Sequence, residues 1–161
     1  MILTSVSASS PGGLVEQARM LVREYAALPH TPGRWPTAAA EIAALPHPYV
    51  PPMGALLLAS AEGECLGCGA LLGLDEAGCA EIKRVYVRPD ARGRGVGELI
   101  TRGLMVEAGR LGYAVVRLDT APELTAAQAL YRRLGFVPIP PYRGGLLPDA
   151  LCFERRLATS V

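Results

Sequence analysis

Three glycines in alternation, Gly93, Gly95 and Gly97, follow the apolar run Val85-Tyr86-Val87 and precede an amphipathic stretch. This reads as strand, glycine-rich turn, helix. The first amides of a helix have no partner within it and carry the positive end of the peptide dipole. They form a ready site for an anion, usually phosphate. Glycines let a ligand come close to the backbone. Arg92 and Arg94 add guanidinium groups that match phosphate oxygens. Two common phosphate loops are excluded. A P-loop ends in Gly-Lys-Ser/Thr, whereas Gly97 is followed by Glu98 and Leu99. The dinucleotide fingerprint would need its third glycine where Glu98 stands. A plain strand-to-helix turn is the bland alternative.

The spacing Arg-Gly-x-Gly-x-Gly, about five residues after a strand valine, resembles the pyrophosphate loop of the GNAT superfamily of N-acetyltransferases. That family binds acetyl-coenzyme A. A second stretch, Leu130-Tyr131-Arg132-Arg133-Leu134-Gly135-Phe136, is similar to the family's Leu-Tyr-x-x-x-Gly-Phe segment. The resemblance covers about residues 53 to 157 and is weak before residue 50. It implies a GNAT-like α/β fold, a mixed and mostly antiparallel sheet with helices on both faces. It also implies cofactor contacts at Val85, Val87, Arg92, Gly93, Arg94, Gly95, Val96, Gly97, Tyr131 and Arg133. The chain departs from the family near the start of its penultimate helix. There, many members place an asparagine against pantetheine; this chain has Leu124 and its neighbours.

Acylation of an amine by a thioester needs the neutral amine, yet an alkylamine near pKa 10 is almost wholly protonated at pH 7. A base must take the proton. In several members a glutamate six residues before the last strand valine is that base, and the resemblance carries this role to Glu81. A buried strand carboxylate has a raised pKa, closer to the working range. The competing reading makes Glu81 an ion-pair partner of Lys83 or a nearby arginine. Alternation predicts Glu81, Lys83, Val85 and Val87 on one strand face. Glu81 would then lie roughly 20 Å from the final valine, so a water relay is expected. In the family the tyrosine of the second motif lies beside the cofactor sulfur, so Tyr131 is expected to donate a proton or hydrogen bond to the leaving thiolate; core packing is its alternative. The Val87 N–H is the expected donor to the oxyanion. Arg94, Arg132 and Arg133 are candidates for the adenosine 3′-phosphate, although the last two equally fit a solvated helix face.

Elements must hold these residues in place. Hydrophobic periodicity and breakers predict a strand at 2–7, a helix from Gly12 through about Leu28 and a short helix from Thr37 to Leu45. A meander of strands follows: Gly54 to Ser60, Cys65 to Leu74 and Cys79 to Val87. The glycine loop then leads into a helix from about Arg94 to Leu111, with Gly112 as its C-terminal cap. A strand from Tyr113 to Thr120 precedes a helix ending at Leu134. Strands Phe136 to Ile139 and Ala150 to Leu157 close the chain. Thr120 to Glu123 has capping-box spacing. Gly67, Gly69 and Gly73 mark bulges or close packing in the second meander strand. The proline-rich segment 29–52 is a candidate binding wall, with Trp35 and Tyr49 offering aromatic surface or plain packing. The loop Pro140 to Gly145 is expected, by resemblance, to line the acceptor pocket. No repeat or internal boundary is visible, so a single domain over 1–161 is expected.

Length and composition narrow the function classes. The chain has 161 residues, half of them apolar, and a formal net charge of +1. That charge gives no electrostatic reason to expect nucleic acid or an anionic membrane as partner. No signal peptide or membrane span is read, so a cytoplasmic location is expected. Cys65 and Cys68 form a C-x-x-C, but residues three apart in a strand face opposite sides, so a redox or metal pair is not expected. His30 and His47 are isolated, and no metal is expected. The leading reading is transfer of an acetyl group from acetyl-coenzyme A to a primary amine of a small molecule. Acetylation of a protein lysine or N-terminus is the second enzymatic reading. A coenzyme A-binding regulatory module without turnover is the third. Homodimerisation, common in small domains, stays open.

Overall fold

The computed structural model describes residues 1–29 and 35–158. His30 and Pro32 lie outside the described residues. The chain runs β1 (Ile2–Ser5), α1 (Gly12–Ala26), α2 (Ala38–Ala44), β2 (Gly54–Ala61), β3 (Glu64–Gly73), β4 (Cys79–Val87), a 3-10 turn (Pro89–Ala91), α3 (Val96–Arg110), β5 (Val115–Thr120), α4 (Thr125–Arg133), β6 (Val137–Ile139) and β7 (Leu151–Arg156).

The strands form one sheet in the order β1-β2-β3-β4-β5-β7-β6. Every neighbouring pair is antiparallel except β4 and β5. A parallel pair cannot be joined by a hairpin, and α3 makes the crossover. The apolar stripe of α3, Val96, Ile100, Leu104 and Ala108, packs on one face of the sheet with Tyr131 of α4 and Leu134, its C-cap. The opposite face carries α1 and the segment after it, through Leu21, Val22, Trp35, Ile42 and Tyr49. Trp35 and Tyr49 are both buried. Two helical layers over a mixed sheet are what the residue pattern calls for.

Four local expectations are corrected. The helix after the glycine loop begins at Val96, not Arg94, because Gly95 takes a left-handed conformation (φ 79°) and acts as its N-cap. The Thr120–Glu123 box does not form. Leu124 is the N-cap of α4, and the buried Gln128 amide instead donates to the carbonyls of Ala121 and Pro122 at 3.1 and 2.9 Å. Cys65 and Cys68 do not face opposite sides. Ala59 pairs with Gly67 and Ser60 with Cys65, so Leu66 is an extra residue. That bulge brings both cysteines to the α1 face. They are free thiols, and burial pushes the Cys68 thiol up to about 12, far from thiolate chemistry at pH 7.

The fourth correction matters most for function. Cys68 pairs with Tyr86 but Ala70 with Lys83, so two residues of β4, Arg84 and Val85, stand opposite Gly69. Arg84 lies in the left-handed region, with φ 57°. This bulge shifts the alternation by one. Val85 and Val87 therefore pack on the α3 face with Ala80 and Ile82. Glu81 and Lys83 point to the other face. The expected single row of Glu81, Lys83, Val85 and Val87 does not exist.

Candidate active site

β4 and β5 are paired over three rungs, Cys79–Val115, Ala80–Val116 and Glu81–Arg117. Past Glu81 the two strands part. β5 continues against β7 to the Thr120–Leu151 rung, while the bulge at Arg84 bends β4 away. A cleft of about 340 Å³ opens between them. Ile82, Lys83, Arg84 and Val85 line one wall, and Asp119 and Thr120 the other. Tyr131, Leu124 and Ala127 enter from the α3/α4 side, and Tyr25 and Trp35 from the α1/α2 side. The cleft thus passes through the sheet, and ligands on its two faces can meet inside it.

The glycine loop lies beyond the end of β4, the strand that forms one wall of the cleft. Gly93 and Gly95 have φ of 74° and 79°, and among the described residues nothing lies within 4 Å of where a Cβ would stand on either. No side chain caps the first turn of α3. Free helix amides beside open space fit the pyrophosphate of coenzyme A. Gly97 lies against Leu130 and Val87 at 3.5 and 3.7 Å from its ideal Cβ position. The loop therefore abuts both the end of β4 and the helix that carries Tyr131. The Arg88 N–H bonds to the Leu66 carbonyl, which makes the opposed Val87–Gly67 pair a non-hydrogen-bonded one. In such a pair the N–H points away from the partner strand. The Val87 N–H is thus directed to the side on which β4 and β5 part.

The charged loop residues are placed unequally. Arg92 and Arg94 are exposed beside the loop, and Arg92 Nε donates to the Val87 carbonyl at 3.3 Å. Arg133 is held by Glu98 at 3.0 Å, tying α4 to the first turn of α3. The Arg132 guanidinium lies 5.3 Å from the Phe153 ring centroid. Tyr131 is buried between Phe136 and Phe153. Its burial raises the hydroxyl pKa, and the phenol stays protonated.

Glu81 differs from expectation. Its side chain is 2 % exposed and does not line the cleft. Tyr142 donates its hydroxyl to Oε2 at 2.9 Å. Arg143 donates Nε to the same oxygen and Nη2 to Oε1 at 3.2 Å. Lys83 Nζ stands 3.5 Å from Oε1. Burial alone would raise this carboxyl, but the hydrogen bonds and charges of Arg143, Lys83 and Tyr142 outweigh it and hold the pKa below the usual range. The expected raised pKa is corrected. Glu81 is ion-paired to Lys83 and Arg143.

Three residues of the site had no place in the sequence reading. Asp119, near the end of β5, faces the cleft with about a third of its side chain open. Enclosure and the neighbouring Glu81 charge raise its carboxyl. Arg84 is paired with Glu41 at 2.8 Å, and its guanidinium carbon lies 3.6 Å from the Trp35 ring centroid. This links α2 to the bulge. Arg143 comes from the loop before β7 and clamps Glu81. The family likeness pointed to that loop but to none of its side chains.

The sequence pattern of the acetyltransferase (GNAT) family matches residues 20–136. An uncharacterised N-acetyltransferase of Schizosaccharomyces pombe is 38% identical over 104 residues, covering 64% of this chain and 64% of that protein. The IAA acetyltransferase of Azospirillum brasilense is 36% identical over 95 residues, 59% of this chain and 61% of that protein. The matched stretch is less than two thirds of each relative's length. Among solved structures, an aminoglycoside 6′-N-acetyltransferase complexed with coenzyme A has a TM-score of 0.72 at 16% identity, covering 100% of this chain and 99% of that one. At that identity the likeness is one of fold.

Proposed function

The chain belongs to the acetyltransferase (GNAT) family, and from that premise we propose that it transfers the acetyl group of acetyl-coenzyme A to a primary amine of a small molecule. One observation carries the reading: a cleft that passes through the sheet where β4 and β5 part, with Tyr131 on its α3/α4 side, on the helix that Gly97 of the glycine loop lies against. The donor's pyrophosphate lies on the loop amides of Gly93 to Gly97, and its thioester reaches the gap. The acceptor enters from the opposite face, past Tyr25 and Trp35. A volume of about 340 Å³ is at the small end of small-molecule pockets, which favours a small amine over a protein segment.

The chain's groups then have distinct tasks. The Val87 N–H donates to the carbonyl oxygen as negative charge develops on it. The Tyr131 hydroxyl donates a hydrogen bond to the departing sulfur. Its raised pKa keeps the proton on the phenol, because a thiol titrates near 8.5 and would not take it. Glu81 anchors Arg143 and Tyr142 on the acceptor side. The exposed Arg92 and Arg94 are placed to meet phosphate.

The test is release of coenzyme A from acetyl-coenzyme A across a panel of primary amines, with calorimetry for donor binding. Binding with amine-dependent release is the expected result. Binding without release on any amine would leave a coenzyme A-binding module. Release only with peptides would move the acceptor to protein.

A further inference from the structure

Building on the acetyltransferase reading, we propose that Asp119, rather than Glu81, takes the proton from the incoming amine, and that Glu81 acts on this proton transfer only through its charge on Asp119. The first support is position. Asp119 lies beyond the last rung joining β5 to β4, where the strands have parted, and it is the one carboxylate among the described residues lining the cleft. Tyr131 lines the same cleft. Glu81 sits on the last paired rung, behind Lys83 and Arg143.

The second support is hydrogen bonding. Both oxygens of Glu81 are occupied by donors from Tyr142 and Arg143. A carboxylate so engaged is a poor proton acceptor. Arg143 Nη2 is 3.9 Å from Asp119 Oδ1, a long ion pair beyond hydrogen-bond reach. The cleft's cations are committed elsewhere: Lys83 and Arg143 to Glu81, Arg84 to Glu41. Asp119 keeps only the long Arg143 ion pair, and it is the cleft-lining carboxylate that an ammonium group meets on entering.

The third support is the balance of charges around Asp119. From β4, Glu81 raises its affinity for a proton, whereas Lys83 and Arg84 lower it. From the loop before β7, Arg143 lowers it. Tyr25 of α1, Tyr131 of α4, Tyr142 and Cys152 of β7 also face it, and each is held in its neutral form by burial. Enclosure and Glu81 prevail. The carboxyl is shifted towards the working range of a general base.

The step balances. The Asp119 carboxylate takes one proton from R–NH3⁺. The freed lone pair forms the C–N bond at the thioester carbon. As the C–S bond breaks, its electron pair goes to sulfur. The second proton of the nitrogen ends on that sulfur, which the Tyr131 hydroxyl holds meanwhile. Asp119 returns its proton to solvent.

The test follows coenzyme A release against pH for wild type, D119N, D119E and E81Q. It uses the amine from the panel that wild type turns over fastest, with fold checked by circular dichroism and donor affinity by calorimetry. D119N is expected to lose about a hundredfold to ten-thousandfold in kcat at pH 7, with unchanged acetyl-coenzyme A affinity and partial recovery at high pH. D119E is expected to restore most of the loss. E81Q is expected to keep the acid limb of the profile and move it to lower pH, because a negative charge beside Asp119 is gone. Wild-type turnover in D119N overturns the proposal, and loss of the limb in E81Q would make Glu81 the base. If D119N does not fold, the E81Q limb decides: one that stays in place overturns the proposal. No release by wild type on any amine overturns the acetyltransferase reading instead, a result separable from equal release by wild type and D119N.

Discussion

Glu81 and Asp119 lie on one face of neighbouring strands, two residues apart in register, and their carboxyls are shifted in opposite directions. Glu81 is buried and Asp119 is partly enclosed by the cleft, and the loss of hydration raises both. Glu81 is then pulled down by Arg143, Lys83 and Tyr142, while Asp119 is pushed further up by the charge that Glu81 thereby keeps. One ion cluster sets the protonation of two acids, and it is completed by Arg143, a residue 62 positions after Glu81.

The first prediction is a pH-dependent stability. A carboxyl whose folded pKa is lowered contributes stability above its unfolded value, and that stability is lost as pH falls through the folded value. E81Q removes this contribution. It is expected to be less stable than wild type by about 1–3 kcal/mol at pH 7, the scale of hydrogen bonds to a buried charged group. Wild type should lose its advantage as pH falls below about 4. Thermal melts of both proteins from pH 3 to 7 measure the gap. A gap that does not change with pH would mean the clamp adds no proton-linked stability.

The second prediction concerns the loop. A Cβ on Gly95 would meet open space but sit at φ 79°. Gly95→Ala should cost about 1 kcal/mol of stability from the left-handed backbone alone. Gly95→Glu adds a negative side chain where the pyrophosphate is expected. It should fold, yet bind acetyl-coenzyme A about a hundredfold more weakly, the loss of roughly two charge-assisted hydrogen bonds. Calorimetry on the folded variants separates the two effects. Equal affinities for wild type and Gly95→Glu would put the phosphates elsewhere.

Residues close in sequence made much of this readable. The span of β4 and the order of the eleven helices and strands among the described residues follow from periodicity and breakers, since these are local. The glycine loop is likewise a local signal. Gly69 marked a bulge or close packing, and the structure holds both. A Cβ there would fall 2.5 Å from Ile100 Cγ2, and the bulge of β4 lies directly opposite. What no local pattern shows is that the residue in the left-handed conformation is an arginine. A bulge at Arg84 has no glycine to announce it, and strict alternation then assigns every later side chain of β4 to the wrong face. The Glu81 clamp was hidden for another reason. Its strength depends on cations that come from β4 and from a distant loop, and sequence distance says nothing of their summed field. Burial was readable and argued for a raised pKa, but the charges around it were not.

The third prediction tests Tyr131. Tyr131→Phe keeps the packing against Phe136 and Phe153 and removes the hydroxyl. Affinity for acetyl-coenzyme A should change less than twofold to threefold. kcat should fall about tenfold to a hundredfold, the cost of one hydrogen bond made as the sulfur leaves. Steady-state kinetics, with single-turnover measurements to isolate the chemical step, give the split. An unchanged chemical step would leave Tyr131 a packing residue.

The last prediction asks what holds the bulge. Arg84 adopts φ 57°, which costs a side chain about 1 kcal/mol or more. Its ion pair with Glu41 and its stacking on Trp35 offset that cost. The two contributions can be separated with two substitutions. Arg84→Ala loses the pair and the stacking and keeps the strain. It also leaves the half-buried Glu41 carboxylate unpaired, so a loss of about 3 kcal/mol is expected. Arg84→Gly loses the same contacts but relieves the strain, and should be more stable than Arg84→Ala by about 1 kcal/mol. Denaturant melts read the difference. Function should follow the backbone: a bulge kept by glycine leaves Val85 and Val87 on the α3 face and the Val87 N–H turned to the cleft. Arg84→Gly is therefore expected to retain wild-type affinity for acetyl-coenzyme A. If Arg84→Ala proves the more stable of the two, the left-handed turn is not strained. The bulge would then be a preference of β4 itself and not a shape imposed by Glu41 and Trp35.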